Sequence, residues 1–121
     1  MEQIQFDTGL REYRVGGGVL RFNPADPNLY ARFLDAVEAL NGLEQTLPQG
    51  AEAIPALREA DKQVKAILQT VFGPDNDLEP VFGGMNLLAV GENGHRLLEN
   101  FLSGLEPILT EGALRCARGE A

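Results

Sequence analysis

Residues 13–27 read YRVGGGVLRFNPADP, in which two short alternating segments flank three glycines and a proline-flanked turn follows. Apolar residues with a period of two around a glycine run predict a β-hairpin. Asp26 can act as an N-cap acceptor, and Pro27 suits the first helical position, where its missing N–H costs nothing. The stretch therefore predicts a hairpin that leads directly into a helix.

The register of the hairpin follows from the chemistry of the facing residues. A two-residue turn at the first two glycines places Tyr13 opposite Leu20. The same register places Glu12 opposite Arg21, so that apolar pairs with apolar and acid pairs with base. A three-residue turn would place Tyr13 opposite Arg21, which is a poorer match. We therefore expect the two-residue turn.

A further strand is suggested upstream of the hairpin. Ile4 and Phe6 lie two residues apart, and the sequence Asp-Thr-Gly at 7–9 is typical of a turn. The first strand is short, so the N-terminal part, residues 1–22, is either a hairpin or a small antiparallel meander.

Three apolar stripes at helical spacing follow the hairpin. The first predicts a helix over residues 27–44, and the second covers residues 54–72 and ends at a Gly-Pro stop pair. The third covers residues 97–109, where Pro107 should kink or restart the helix.

The remaining segments complete a single α+β domain over residues 1–121, with its helical part in 23–112. Residues 74–93 are expected to form an irregular loop with one helical turn at most, and residues 113–121 a frayed tail.

The composition excludes several functions. The formal net charge is −8, which disfavours autonomous binding to nucleic acid. The longest apolar run, residues 87–90, is far too short to span a bilayer, and the first residues carry no signal pattern. We therefore expect a cytoplasmic protein that binds neither membrane nor nucleic acid. Residues 73–112 hold seven acidic residues and one basic residue, which favours a basic, amphipathic protein partner.

Residues with catalytic chemistry are few. Asp75, Asp77 and Glu79 alternate as at the start of a calcium loop, but the sixth position is proline and the twelfth asparagine. His95 is the only histidine and Cys116 the only cysteine, so one chain cannot supply a two-histidine or a multi-cysteine metal site. We predict no catalytic residue, no metal site and no cofactor. A small metal-dependent enzyme using the acidic residues is the least favoured alternative.

An interaction surface is the remaining possibility. Five apolar residues lie in or beside a glycine-flanked loop and are the candidate partner-binding residues: Val81, Phe82, Met85, Leu87 and Leu88. The alternative is that these side chains cap the core. The partner groove is the more specific of the two hypotheses.

The order of these features resembles the tail assembly chaperones of siphophages and prophages, which are small acidic proteins. The resemblance covers most of the chain and is carried by these segments: YRVGG at 13–17, LRF at 20–22, NPADP at 23–27, VFGG at 81–84 with Asn86, and FL at 101–102 with EPI at 106–108.

The resemblance implies a non-enzymatic role. Such proteins bind the long helical tape-measure protein, keep it soluble, recruit tail-tube subunits in the host cytoplasm and are absent from the finished virion. Self-association through helix faces is also expected. The family supplies no catalytic residues to carry over. The alternative is a generic adaptor domain of a prophage or bacterium with another protein partner.

Overall fold

The structure is a computed structural model that describes residues 1–119, and it has the α+β architecture that the sequence predicts: an antiparallel hairpin followed by helices. The elements are β1 (Arg11–Val15), β2 (Gly18–Phe22), α1 (Pro27–Gln45), α2 (Ala53–Phe72), α3 (Glu79–Phe82) and α4 (Leu97–Arg118).

The predicted register of the hairpin is confirmed. Tyr13 pairs with Leu20 and Val15 pairs with Gly18, which leaves a two-residue turn. Glu12 pairs with Arg21, and their side chains form an ion pair at 3.2 Å on the exposed face. Exposed ion pairs contribute little stability, so the apolar pairs on the other face hold the register.

The suggested third strand is absent from the sheet. Residues 3–6 have no regular secondary structure, and the sheet has two strands, so the hairpin alternative holds and the meander alternative is wrong for the residues described. Ile4 and Phe6 extend into solvent as a result.

The glycines of the hairpin do more than form a turn. A Cβ atom on Gly18 would stand 2.7 Å from the backbone nitrogen of Val81, and one on Gly16 would collide with the carbonyl oxygen of Val81. Gly16 also has a φ of 58°, in the left-handed region. Because neither position has a side chain, α3 packs directly on the backbone of the hairpin.

Helix α1 begins where the sequence predicts. The Asp26 side chain accepts a hydrogen bond of 2.9 Å from the backbone N–H of Asn28, and Pro27 occupies the first helical position. Helix α2 ends at Phe72 and is followed by Gly73, whose φ of 86° would strain another residue.

Helix α4 differs from the prediction. It runs without a break through Pro107 and continues to Arg118, so residues 113–118 are helical and not frayed. Pro107 lies on the exposed side, where water can satisfy the carbonyl that loses its helical donor. Arg115 and Arg118 lie in the last turn, where their positive charges stabilise the negative end of the helix dipole. The last two residues of the predicted tail lie outside the described residues.

The core is one buried cluster to which β2 and all four helices contribute. Helix α1 packs against α2 and α4, and α3 packs against β2. Gly112 of α4 permits a further close approach, because a Cβ atom there would collide with the carbonyl oxygen of Pro24. Within residues 1–119, none of the helices combines the length and apolar composition that crossing a bilayer requires.

Candidate functional site

Four of the five predicted partner-binding residues belong to the core. Val81, Phe82, Leu87 and Leu88 have exposed fractions of 2%, 5%, 2% and 2%. Met85 alone is exposed, at 51%. The expectation of an exposed apolar loop is therefore corrected, because a partner could reach these four side chains only by opening the fold.

Phe82 shows why the segment is buried. Its ring lies edge-on against the ring of Phe101 on α4, with centroids 5.1 Å apart. The single turn of α3 thereby fills the space between β2 and α4. Burial of an apolar side chain in this way stabilises the fold. Gly83, with a φ of 58°, lets the chain turn sharply out of this position.

The rest of the loop is tied to α2 by polar contacts. Asp61 accepts a hydrogen bond of 2.8 Å from the backbone N–H of Leu87 and forms an ion pair of 2.9 Å with Lys65. Lys65 donates in turn to the carbonyl of Met85 at 2.7 Å. Asn86 donates to the carbonyl of Leu57. These contacts hold the loop in one position on α2.

The acidic turn at residues 75–79 contributes to the fold through Asn76, which lies between its carboxylates. Asn76 is buried; its side-chain oxygen accepts from the backbone N–H of Arg21 at 2.8 Å, and its amide donates to the carbonyls of Arg21 and Phe72. Asp75, Asp77 and Glu79 are exposed around it. Among residues 1–119, no three histidine, cysteine or acidic side chains lie close enough to share a metal ion.

The remaining reactive side chains lie apart from one another. His95 is exposed just before α4, where its Nδ1 is 3.1 Å from a carboxylate oxygen of Glu99. Cys116 is exposed near the other end of the same helix. A nucleophile needs a base within hydrogen-bonding distance, and α4 separates these two groups by most of its length.

A concave apolar surface lies between the hairpin and α4. This hairpin–α4 groove has a volume of about 300 Å³. Its floor and walls are mostly apolar and include Tyr13, Val15, Phe101, Gly104, Leu105 and Ile108. Apolar concave sites with a few polar groups are the usual places where proteins bind ligands or peptide segments. We therefore treat the groove as the candidate functional site.

Aromatic stacking shapes the groove. Tyr13 of β1 stacks on Phe22 of β2 with centroids 4.5 Å apart, and Phe22 contacts Phe72 of α2. Phe101 of α4 contacts Phe72 and Phe82. Phe72 thus contacts an aromatic ring of each wall, and it holds both the hairpin and α4 in place against α2.

Gly104 keeps the groove open on the α4 side. It is exposed, and nothing lies within 4 Å of where its Cβ atom would stand. Phe101, Leu105 and Ile108 surround it on the same apolar stripe, and a larger residue at this position would extend across the groove.

The rim of the groove is basic, although the protein is acidic. Arg14 lies at the groove itself, and Arg11 and Arg115 line an adjoining cavity that shares Tyr13 and Ile108 with it. Within the described part of the chain, these three arginines form no ion pair. Glu111 lies in the same adjoining cavity as the one acidic member.

The sequence predicts neither the groove nor its basic rim, because its apolar residues are indistinguishable from core residues of a hairpin and a helix. One signal was available: Gly104 interrupts the apolar stripe of α4 at a position where a buried helix would carry a larger side chain. In comparisons with known proteins, no family model, no curated protein and no solved structure matches this chain.

Proposed function

We propose that this protein is a non-enzymatic tail assembly chaperone of a siphophage or prophage, and that it holds an apolar stripe of the tape-measure protein in the hairpin–α4 groove. The observation that supports the proposal is the groove itself, an open apolar cleft of about 300 Å³. Within residues 1–119, the histidine, cysteine and acidic side chains form no cluster that could hold a metal ion.

The chemistry of the groove suits one face of an amphipathic helix or an extended apolar segment. Tyr13 and Phe101 supply rigid aromatic anchors, and aromatic residues commonly dominate binding energy at protein interfaces. The arginines of the rim can pair with acidic residues that flank the apolar stripe of a client. The groove therefore does not favour the basic partner that the acidic residues in 73–112 predict. Binding of this kind requires no chemical step.

The charge of the whole molecule suits the same role. A net charge of −8 keeps a complex with an aggregation-prone client dispersed, because like charges repel one complex from the next. In this proposal the protein acts in the host cytoplasm, brings tail-tube subunits to the bound tape-measure protein and leaves before the virion is finished.

The proposal implies that a tape-measure protein is encoded beside this chain, and co-expression with that protein tests the proposal. The wild-type chain should keep the tape-measure protein soluble and co-purify with it. Gly104→Glu should abolish both effects, because it places a charged side chain at the groove, at a position where the added Cβ atom meets no neighbour.

The matched control is Gly42→Glu, at an exposed glycine of α1 that also has open space around its Cβ position. It should behave as the wild type. An insoluble, unbound tape-measure protein in the presence of the wild-type chain would overturn the chaperone proposal. Equal binding by both glutamate variants would exclude the groove as the site.

A further inference from the structure

The first ten residues have the pattern of a β-strand but no partner strand. Ile4 and Phe6 alternate with Gln3 and Gln5, and their exposed fractions are 88% and 76%. Large apolar side chains in such a row are costly to leave in water, and natural proteins keep these rows covered. The segment 1–10 is here called the N-terminal arm.

The arm does not occupy the groove of its own chain. The carbonyl of Thr8 accepts a hydrogen bond of 3.1 Å from the side chain of Asn23. Thr8 and Leu10 line a different cavity, beside Asn23 and α1, and no residue of the arm lines the hairpin–α4 groove. The arm is thus attached on the side of Asn23, and Ile4 and Phe6 remain exposed there.

The two edges of the hairpin differ. The outer edge of β2 is closed at Arg21, where the Asn76 side chain both accepts from the backbone N–H and donates to the carbonyl. The backbone of β1 makes no hydrogen bond within residues 1–119 other than those to β2. In an antiparallel pair, alternate residues direct their N–H and C=O groups to the outside. The outer edge of β1 is therefore open to an added strand.

Charge favours the arm as the occupant of this edge. Its charged side chains are Glu2 and Asp7, both acidic. The rim of the groove beside β1 carries one acidic residue, Glu111, against three arginines that form no ion pair in the described part of the chain: Arg11, Arg14 and Arg115. An acidic strand that enters along β1 places its carboxylates next to these guanidinium groups.

We infer that the N-terminal arm of one copy adds a strand to the β1 edge of a second copy and inserts Ile4 and Phe6 into the hairpin–α4 groove of that copy. Residues 2–7 span about 20 Å when extended, which matches the five-residue edge of β1 at about 17 Å. One face of the added strand then carries the two apolar side chains to the groove, and the other carries Gln3 and Gln5 to solvent.

This self-association goes beyond the proposed function. It involves the chain alone, so it can fail while binding of the tape-measure protein stands, and the reverse also holds. If both are correct, the arm covers the apolar groove until a client displaces it.

Sedimentation velocity of the purified chain over a range of concentrations is the first test. The wild type should associate reversibly. An Ile4→Ser, Phe6→Ser double variant should raise the dissociation constant about tenfold or more, because it removes the buried apolar contact. Leu34→Ser, at an exposed leucine of α1, is the matched control and should leave the constant unchanged.

Mixing two defective variants tests the site. Gly104→Glu blocks the groove and keeps the arm, and the serine double variant loses the arm contact and keeps the groove. Each alone should associate at least about tenfold more weakly than the wild type, and the mixture should form a heterodimer through its one intact arm–groove contact. A wild type that stays monomeric, or a mixture that does not associate, overturns the inference.

A spin label on the exposed Cys116 separates the two copies. The labelled chain is mixed with an isotope-labelled Cys116→Ser chain, whose NMR signals report only on approach between molecules. Signals of Ile4 and Phe6 should broaden, because Cys116 follows Arg115 of the groove rim. Sharp arm signals at concentrations where the wild type associates would show that the arm binds elsewhere and would overturn the inference.

Discussion

Asn76 connects three parts of the molecule through one side chain. It bonds both backbone groups of Arg21 on β2 and the last carbonyl of α2 at Phe72. Burial of an amide costs little free energy when its donors and acceptor are all hydrogen-bonded. Removal of the side chain leaves its backbone partners without hydrogen bonds. The stability of the hairpin on the helices therefore depends on this residue.

Asn76→Ala should lower the free energy of unfolding by about 2 kcal/mol, the usual cost of leaving buried polar groups unsatisfied. Chemical denaturation measures this change. Asn41→Ala, on the exposed side of α1, is the control and should not lower the stability, because alanine favours a helix. Equal stability of both variants would show that the hairpin is held by other contacts.

Phe82 and Met85 form a second matched pair, three residues apart. Phe82→Ser should lower the free energy of unfolding by about 3–5 kcal/mol, because the ring is buried against Phe101. Met85→Ser should change it by no more than about 0.5 kcal/mol, since that side chain is exposed. Thermal unfolding of the two variants checks the prediction. Wild-type stability of the Phe82→Ser variant would contradict the burial of this side chain in the core.

Among the secondary-structure elements, the sequence predicts best those set by neighbours in the chain. The hairpin register follows from facing pairs across a two-residue turn, and the start of α1 follows from Asp26 and Pro27. Helix α4 was predicted less well, because Pro107 is a strong local signal for a break. Packing of α4 against the core and against Pro24 at Gly112 outweighs the one lost hydrogen bond.

Pro107→Ala should raise the free energy of unfolding by about 1–3 kcal/mol, because it restores the N–H that can donate to the carbonyl of Ser103. Denaturation with guanidinium chloride measures the change. Glu106→Ala, at the exposed neighbouring position, should have a much smaller effect. A loss of stability in Pro107→Ala would mean that the proline ring makes a contact that α4 requires.

For the molecule as a whole, the features that the sequence does not predict depend on contacts between elements that are distant in the chain. The burial of residues 81–88 depends on α3 filling the space between β2 and α4, and the groove depends on the separation of β1 from α4. Both are distances between segments far apart in the chain, and hydrophobic periodicity carries no information on them. The same holds for the arginine rim, which combines residues of β1 with one from the end of α4.

Hydrogen exchange of the backbone amides, measured with and without the tape-measure protein, tests most directly whether the hairpin–α4 groove is the client site. The bound state should show slowed exchange in β1 (Arg11–Val15) and in residues 100–108 of α4, with little change in the α1–α2 face. Unchanged exchange in both groove segments, with slowed exchange on the α1–α2 face or in the acidic turn at 75–79, would contradict the proposal.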